Sequence, residues 1–261
     1  MQRSFLLSFS LLSFSALGAP KSDLWPYWQQ SSSDSSQVIS HQLWQQVIKD
    51  NLKISGSNTL FDYQHISSQD QKRLQRYIQQ QTSLNPFTYN SNEQLAYWIN
   101  LYNALTVNLV IENYPVESIT DIGGWFRFGP WDQEITSING KPLTLNDIEH
   151  RILRPIWKDA RIHYAVNCAS LGCPNLQPDV FTGSQVKEQL EDAAQEFIQS
   201  RKGVRLEGNT LILSSIYDWY SEDFGNQKQL LQHLIRYRPD LNNFQGSTDY
   251  QYDWGLNKTT D

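Results

Sequence analysis

Two cysteines, one methionine and no long apolar run beyond the first residues mark what this 261-residue chain does without. So few cysteines exclude a scaffold built on disulfides, and a chain of this length buries a core without them. Nothing after residue 18 offers about 20 consecutive apolar residues, so no membrane span is expected in the mature chain. Basic residues are outnumbered, 21 against 27 acidic for a formal charge of -6, and such a surface repels phosphate backbones. Nucleic acid is therefore not an expected partner. No heptad persists, and a chain 39% hydrophobic and 13% aromatic is too rich for disorder or a collagen-like repeat. No cofactor is expected either.

What is present begins with an address. Arg3 precedes an apolar and serine run, Phe5 to Phe14, and then the small residues of Ala16-Leu17-Gly18-Ala19. This is the charged, apolar and small-residue order of a secretory signal. Residues 1–18 are expected to be removed after Gly18 and the protein exported, to a periplasm or beyond. No cysteine near that point suggests a lipid anchor. Residues 19–57 read as an N-terminal helical extension, with a serine-rich linker at 31–37.

Helical periodicity follows at 40–52 and 68–81. The strongest helix is 92–113, apolar on most sides, which implies a buried central helix stopped at Tyr114-Pro115. A hairpin is expected at Asn139-Gly140, and Thr144 with Asp147 resembles a capping box opening a helix over 145–154. Residues 161–167 alternate like a strand. A helix from Gly183 to about Ser200, a hairpin at Gly208-Asn209, helices near 215–222 and 226–237, and a final strand in Tyr250–Trp254 complete the pattern. Helices outnumber strands without regular βα alternation. The expected fold class is α+β: a mostly helical single domain whose buried central helix packs on a small, largely antiparallel sheet.

The only cysteines, Cys168 and Cys173, admit three readings. They could close a small disulfide loop, one could be a thiolate nucleophile, or they could bind zinc, although Cys-x4-Cys is not the usual ligand spacing. An extended strand would separate His163 from Cys168 by roughly 16 Å, so a base for Cys168 would be His150, or His163 would serve Cys173 after a turn. In the helix over 145–154, Leu145, Ile148 and Ile152 form a buried stripe, and His150 and Arg154 share another face. Glu149 is placed to orient an imidazole from a neighbouring segment. Asn100 and Asn103 interrupt the central helix beside Tyr102, and buried amides must either knit segments together or line a cleft. The aromatics of 125–131, with Arg127, wall a cleft or fill core.

Several of these motifs occur in a recognisable order. Glu93…Ala96-Tyr97-Trp98-Ile99-Asn100-Leu101-Tyr102-Asn103-Ala104 is followed by Ile148-Glu149-His150…Leu153-Arg154. Arg161-Ile162-His163…Asn167-Cys168…Ser170…Cys173-Pro174 comes next, then Trp219-Tyr220…Asp223-Phe224 and Tyr252-Asp253-Trp254-Gly255-Leu256-Asn257. The series resembles the domain-of-unknown-function family 547 over residues 58–257, leaving 258–261 as a tail; Gly255 stands where a serine is common. Such domains occur in exported bacterial proteins and, fused to a leucine-zipper region, in plants. The resemblance implies signature positions at Glu93, Asn100, Tyr102, Asn103, Glu149, His150, Arg154, His163, Cys168 and Cys173. Plant members in a reducing cytosol would keep the cysteines without needing a disulfide.

Two functions follow as expectations. One is a thiol hydrolase or acyltransferase acting on an amide or ester. Cys168 would attack, His163 or His150 would be the base, and Asn100 or Asn103 would orient groups or stabilise the oxyanion. Tyr102, Glu93, Glu149, Arg154 and Cys173 would contact the substrate, a small molecule or peptide. The other is a binding or assembly module whose polar residues are structural. A metal held by His150, His163 and a cysteine is a weaker third reading, and the oligomeric state is left open.

Overall fold

The computed structural model describes residues 20–123 and 129–260. The expected signal peptide, and Trp125, Phe126, Arg127 and Phe128 of the aromatic loop, lie outside the described residues.

The chain folds around its apolar helix. Asn90 caps that helix, α3 in chain order (Ser91–Asn113), by accepting from the amides of Asn92 and Glu93 at 3.1 Å each. Leu95 through Val107 are buried without interruption, so the helix needs cover on every side. Helices supply most of it: α2 (Ser68–Thr82), a π-helical segment (Asp147–Leu153) running into α4 (Arg154–Trp157), and α5 (Val186–Gln199). The class is α+β, as expected. A sheet is not the main neighbour of α3, because a helix apolar all round is enclosed more completely by ridged helices and loops than by one flat face.

The N-terminal residues are part of this core. Trp28, 1% exposed, meets Trp98 of α3 edge to face at 5.2 Å. From α1 (Gln42–Asn51), Trp44, Val47 and Ile48 join the same cluster. Backbone bonds from Asp23 N to His150 O and Trp25 N to Arg151 O, both 3.0 Å, lay residues 20–25 along the π-helical segment.

The strands are peripheral and short. β1 (Leu52–Ser55) and β2 (Asn58–Phe61) form a hairpin that the periodicity had merged with the end of α1. β3 (Thr136–Ile138) and β4 (Lys141–Leu143) turn at Asn139-Gly140, both at positive φ, as that dipeptide predicts. β5 (Val204–Glu207) and β6 (Thr210–Ser214) pair antiparallel across Gly208, and β7 (Ser247–Gln251) adds parallel to β6. This sheet is therefore mixed. With one face of α5 and with α8 (Gln227–Ile235) it builds a second apolar cluster containing Tyr164, Phe197, Tyr217 and Phe224. Among the described residues no helix is long and apolar enough to cross a membrane.

Two expected elements differ. Residues 161–167 are not a strand: Ala160–Tyr164 is a 3-10 helix begun by the Asp159 side chain, which accepts from Arg161 N at 3.0 Å. Ile162 to Asn167 are all buried, so the polar alternation there does not mark one wet and one dry face. The helix expected over 215–222 divides at Tyr220 into α6 (Ile216–Trp219) and α7 (Ser221–Phe224).

Candidate functional site

Both departures shape the site. The 3-10 turn tucks His163 inward, and the break at Tyr220 aims Tyr220 and Asp223 at it. His163 stacks on the Tyr220 ring, with centroids 4.2 Å apart and planes 14° from parallel. Its Nε2 donates to Asp223 Oδ2 at 2.6 Å, which leaves Nδ1 buried, without a hydrogen-bond partner, and facing Glu149 Oε1 at 3.8 Å.

Arg154 donates to the same Asp223 oxygen, Oδ2, through Nε at 2.5 Å. Its Nη1 donates to Pro20 O at 2.8 Å and to His150 Nδ1 at 3.0 Å, and the guanidinium lies 5.0 Å from the Tyr220 centroid. His150 must then keep Nδ1 unprotonated. Burial, opposed by Glu149 and assisted by the Arg154 charge, lowers its pKa to about 4. Asp223 is pulled the other way. Burial alone would raise it, but bonds from His163 and Arg154 hold it at about 2. The expected helix face shared by His150 and Arg154 is thus a buried bond between them. The Thr144–Asp147 capping box is formed, with Asp147 N donating to Thr144 Oγ1 at 2.9 Å and Thr144 N to Asp147 Oδ2 at 3.0 Å.

Cys168 lies within reach of the same Glu149 charge. It is half-buried, and both cysteines are free thiols, so the disulfide reading is not the one realised. Cys168 Sγ is hydrogen-bonded to Tyr252 Oη at 3.0 Å and Ser170 Oγ at 3.2 Å, and those two hydroxyls are 2.8 Å apart. Its amide donates to Cys173 Sγ at 2.9 Å. Burial raises the Cys168 pKa, yet bonds from Cys173, Ser170 and Tyr252 outweigh it and leave the thiol below its ordinary value. Glu149 opposes them, so its carboxylate is close enough for its charge to reach Cys168. The buried Tyr102 phenol also feels Glu149 and Cys168, which, after burial, push its pKa up.

The expected site residues therefore divide. Cys168, Cys173, Glu149, His150, Arg154, His163 and Tyr102 converge on one region. Asn100 does not offer a free amide: it donates to Phe181 O at 2.7 Å and accepts from Phe181 N at 3.1 Å. Asn103 likewise donates to Ala165 O and accepts from Asn167 N. Both knit loops onto α3, because a buried amide matches one peptide unit on each side. Glu93 accepts from Ile39 N at 3.1 Å and braces the N-terminal segment. Nor is either histidine hydrogen-bonded to a cysteine among the described residues, so the expected direct Cys-His pair is not formed; Glu149 lies 3.8 Å from His163 Nδ1 and its charge reaches Cys168. The sequence reading gave no role to Ser170, Tyr220, Asp223 or Tyr252. Their only signal is membership of the ordered motifs, and for Asp223 and Tyr252 contacts spanning 60 and 84 residues have no local pattern. Among the described residues no group of three or more His, Cys, Asp or Glu side chains is arranged to hold a metal ion.

Gly172 fits its close neighbour. Leu171 N and Gly172 N donate to Gly255 O and Asp253 O at 2.7 and 2.8 Å, and a Cβ on Gly172 would stand 2.7 Å from Asp253 N. Gly172→Ala is expected to cost about 1–3 kcal/mol by overpacking. It should also move Tyr252 off Cys168, read as slower thiol alkylation at pH 7 together with a lower urea midpoint.

Acid should weaken the fold through two buried histidines and the half-buried His233. His41, His150 and His233 are each lowered to about 4, chiefly by burial, from an ordinary 6.5. Their neutral forms belong to the folded state, so their contribution is complete above pH 6.5 and falls as pH drops through 4. The slope is about 1.4 kcal/mol per pH unit for each histidine. Urea midpoints between pH 7 and 4.5 should show this, and His41→Gln should flatten the curve. An unchanged slope would remove His41 from the account.

The fold and this cluster define an α+β domain with a buried thiol, imidazole and carboxylate centre. Residues 86–198 match the model of the family described as Protein of unknown function, DUF547, and that segment belongs to the family. The match spans α3, the π-helical segment, both cysteines and most of α5, while Tyr220, Asp223 and Tyr252 reach the centre from beyond it. No curated protein and no solved structure matches the chain.

Proposed function

We propose that the protein is an exported, cysteine-dependent hydrolase or acyltransferase acting on an amide or ester. The observation that carries this reading is the Cys168 thiol. It belongs to a half-buried residue, is surrounded by donors, and feels the charge of a buried carboxylate that faces the His163–Asp223 pair. Ala169, the next residue, has φ of +61°, a conformation costly for a side chain and common beside reacting groups.

The reaction written on these atoms is acyl transfer. The Cys168 thiolate adds to the acyl carbonyl and a C–S bond forms. The leaving alcohol or amine departs with a proton, and water or another nucleophile then takes the acyl group from the thioester. Backbone amides contribute little to the oxyanion, since those of Cys168, Ala169, Leu171 and Gly172 already donate elsewhere. The hydroxyls of Tyr252, Ser170 and Tyr102 are the donors left for it. Glu149, which faces His163 and whose charge reaches Cys168, carries the proton between thiol and imidazole.

Intact-mass measurement after exposure to p-nitrophenyl esters and peptide thioesters tests this. A single acyl adduct on Cys168, absent in folded Cys168→Ser, is expected. The pH midpoint for alkylation of Cys168 should lie below that of free cysteine and rise in Tyr252→Phe. A native Cys168 inert to both esters and alkylating agents would end the reading and favour a binding module instead.

A further inference from the structure

The two cysteines are placed for chemistry that acyl transfer leaves unused. A tight turn, closed by Cys173 N donating to Ser170 O at 3.1 Å, folds Cys173 back until its Sγ accepts from Cys168 N at 2.9 Å. The closeness of the two thiols makes each shift the other's pKa, lowering Cys168 and raising Cys173. Cys168 is half-buried, while Cys173 is 4% exposed. The C-terminal segment holds this turn in place, with Asn257 N donating to Ala169 O at 3.0 Å and Gly172 N to Asp253 O at 2.8 Å. Lys202 donates to Asn175 Oδ1 at 2.6 Å. Burial lowers its pKa to about 8, while the charges of Cys173, Glu196 and Cys168 act to keep its proton on.

We propose that Cys168 and Cys173 form a two-thiol centre that reduces hydroperoxides, Cys168 attacking and Cys173 resolving. The Cys168 thiolate attacks one peroxide oxygen. The S–O bond forms as the O–O bond breaks, and the second oxygen leaves as alcohol or water. Its proton comes through the Ser170 and Tyr252 hydroxyls, which touch Sγ and each other. Cys168 becomes a sulfenic acid, oxidised by two electrons. The Cys173 thiol then attacks Cys168 Sγ, the S–S bond forms, and the sulfenic oxygen leaves as water with the Cys173 proton. An external dithiol returns the two electrons and both thiols. Because the turn already holds Cys173 Sγ against the Cys168 amide, the second step needs no unfolding of the turn. Oxidation also removes the nucleophile, so the disulfide form would be silent in acyl transfer.

The test uses the full mature chain, reduced and then given one equivalent of hydrogen peroxide. It is denatured without reductant, alkylated with N-ethylmaleimide and weighed intact. The expected product is two hydrogens lighter, monomeric and without adducts, and it gains two adducts after reduction. In Cys173→Ser, Cys168 should instead be trapped by dimedone as a sulfenic acid. Conversion no faster than that of free cysteine, or a disulfide only between chains, overturns the proposal. If Cys173→Ser does not fold, the wild-type mass and rate decide alone. Acylation of Cys168 in Cys173→Ser reports on the acyl reading separately, so each can fail without the other.

Discussion

Arg154→Met is expected to destabilise the protein by about 3–5 kcal/mol, the loss typical of breaking a buried ion pair from one side. The side chain is 2% exposed and its nitrogens bond Asp223, His150 and Pro20. Methionine fills much of the same volume, so the loss is one of charge and donors rather than of space. Asp223 is left with only His163, and the Pro20 carbonyl and His150 Nδ1 each lose a donor. The low end of the range is expected because the Asp223 side chain is 20% exposed and water can reach part of it. Urea unfolding of Arg154→Met, Asp223→Leu and the double variant measures this as a cycle. The double variant should be more stable than the sum of the two single losses predicts. Strict additivity would mean that the pair makes no mutual contribution. Released contact at Pro20 should also expose residues 20–25 to proteolysis before the rest of the chain.

Part of this architecture could be read from residue order because it follows from local rules. The Asn139-Gly140 hairpin requires positive φ at both turn residues and has them, and the Thr144–Asp147 box satisfies each other's amide and hydroxyl. An apolar run from Leu95 to Ile99, resumed after Asn100 and flanked by capping Asn90 and by Pro115, could only be an enclosed helix. The strand expected at 161–167 failed because period-2 alternation means exposure alternation only where one face is wet, and here both are dry. Asn100 and Asn103 resemble catalytic amides in sequence, since peptide-binding and oxyanion-binding asparagines have the same side chain. Only the peptide units of Phe181 and Ala165 distinguish them. Asp223 and Tyr252 approach the site from α7 and from the segment after β7, across sequence gaps that no periodicity spans.

Glu149→Gln separates the two halves of the proposed acyl chemistry more sharply than any change at the cysteine. The substitution keeps the shape and removes the charge and the proton-carrying capacity of a residue that is 5% exposed, so the fold should survive. Turnover of an ester that acylates the wild type should fall by about 10²–10⁴-fold, the usual worth of a positioned acid–base group. Alkylation of Cys168 should not fall with it. The Glu149 charge disfavours the thiolate, so its removal should move the alkylation midpoint to lower pH and speed labelling near neutrality. A structural role for Glu149 would slow both reactions together, through a displaced Cys168. A purely electrostatic role would speed both, since a more available thiolate would also acylate faster. Only a carboxylate that moves protons between Cys168 and His163 gives opposite changes in the two rates. His163→Gln should then follow Glu149→Gln in turnover without moving the alkylation midpoint, because among the charges acting on Cys168 the negative one is that of Glu149.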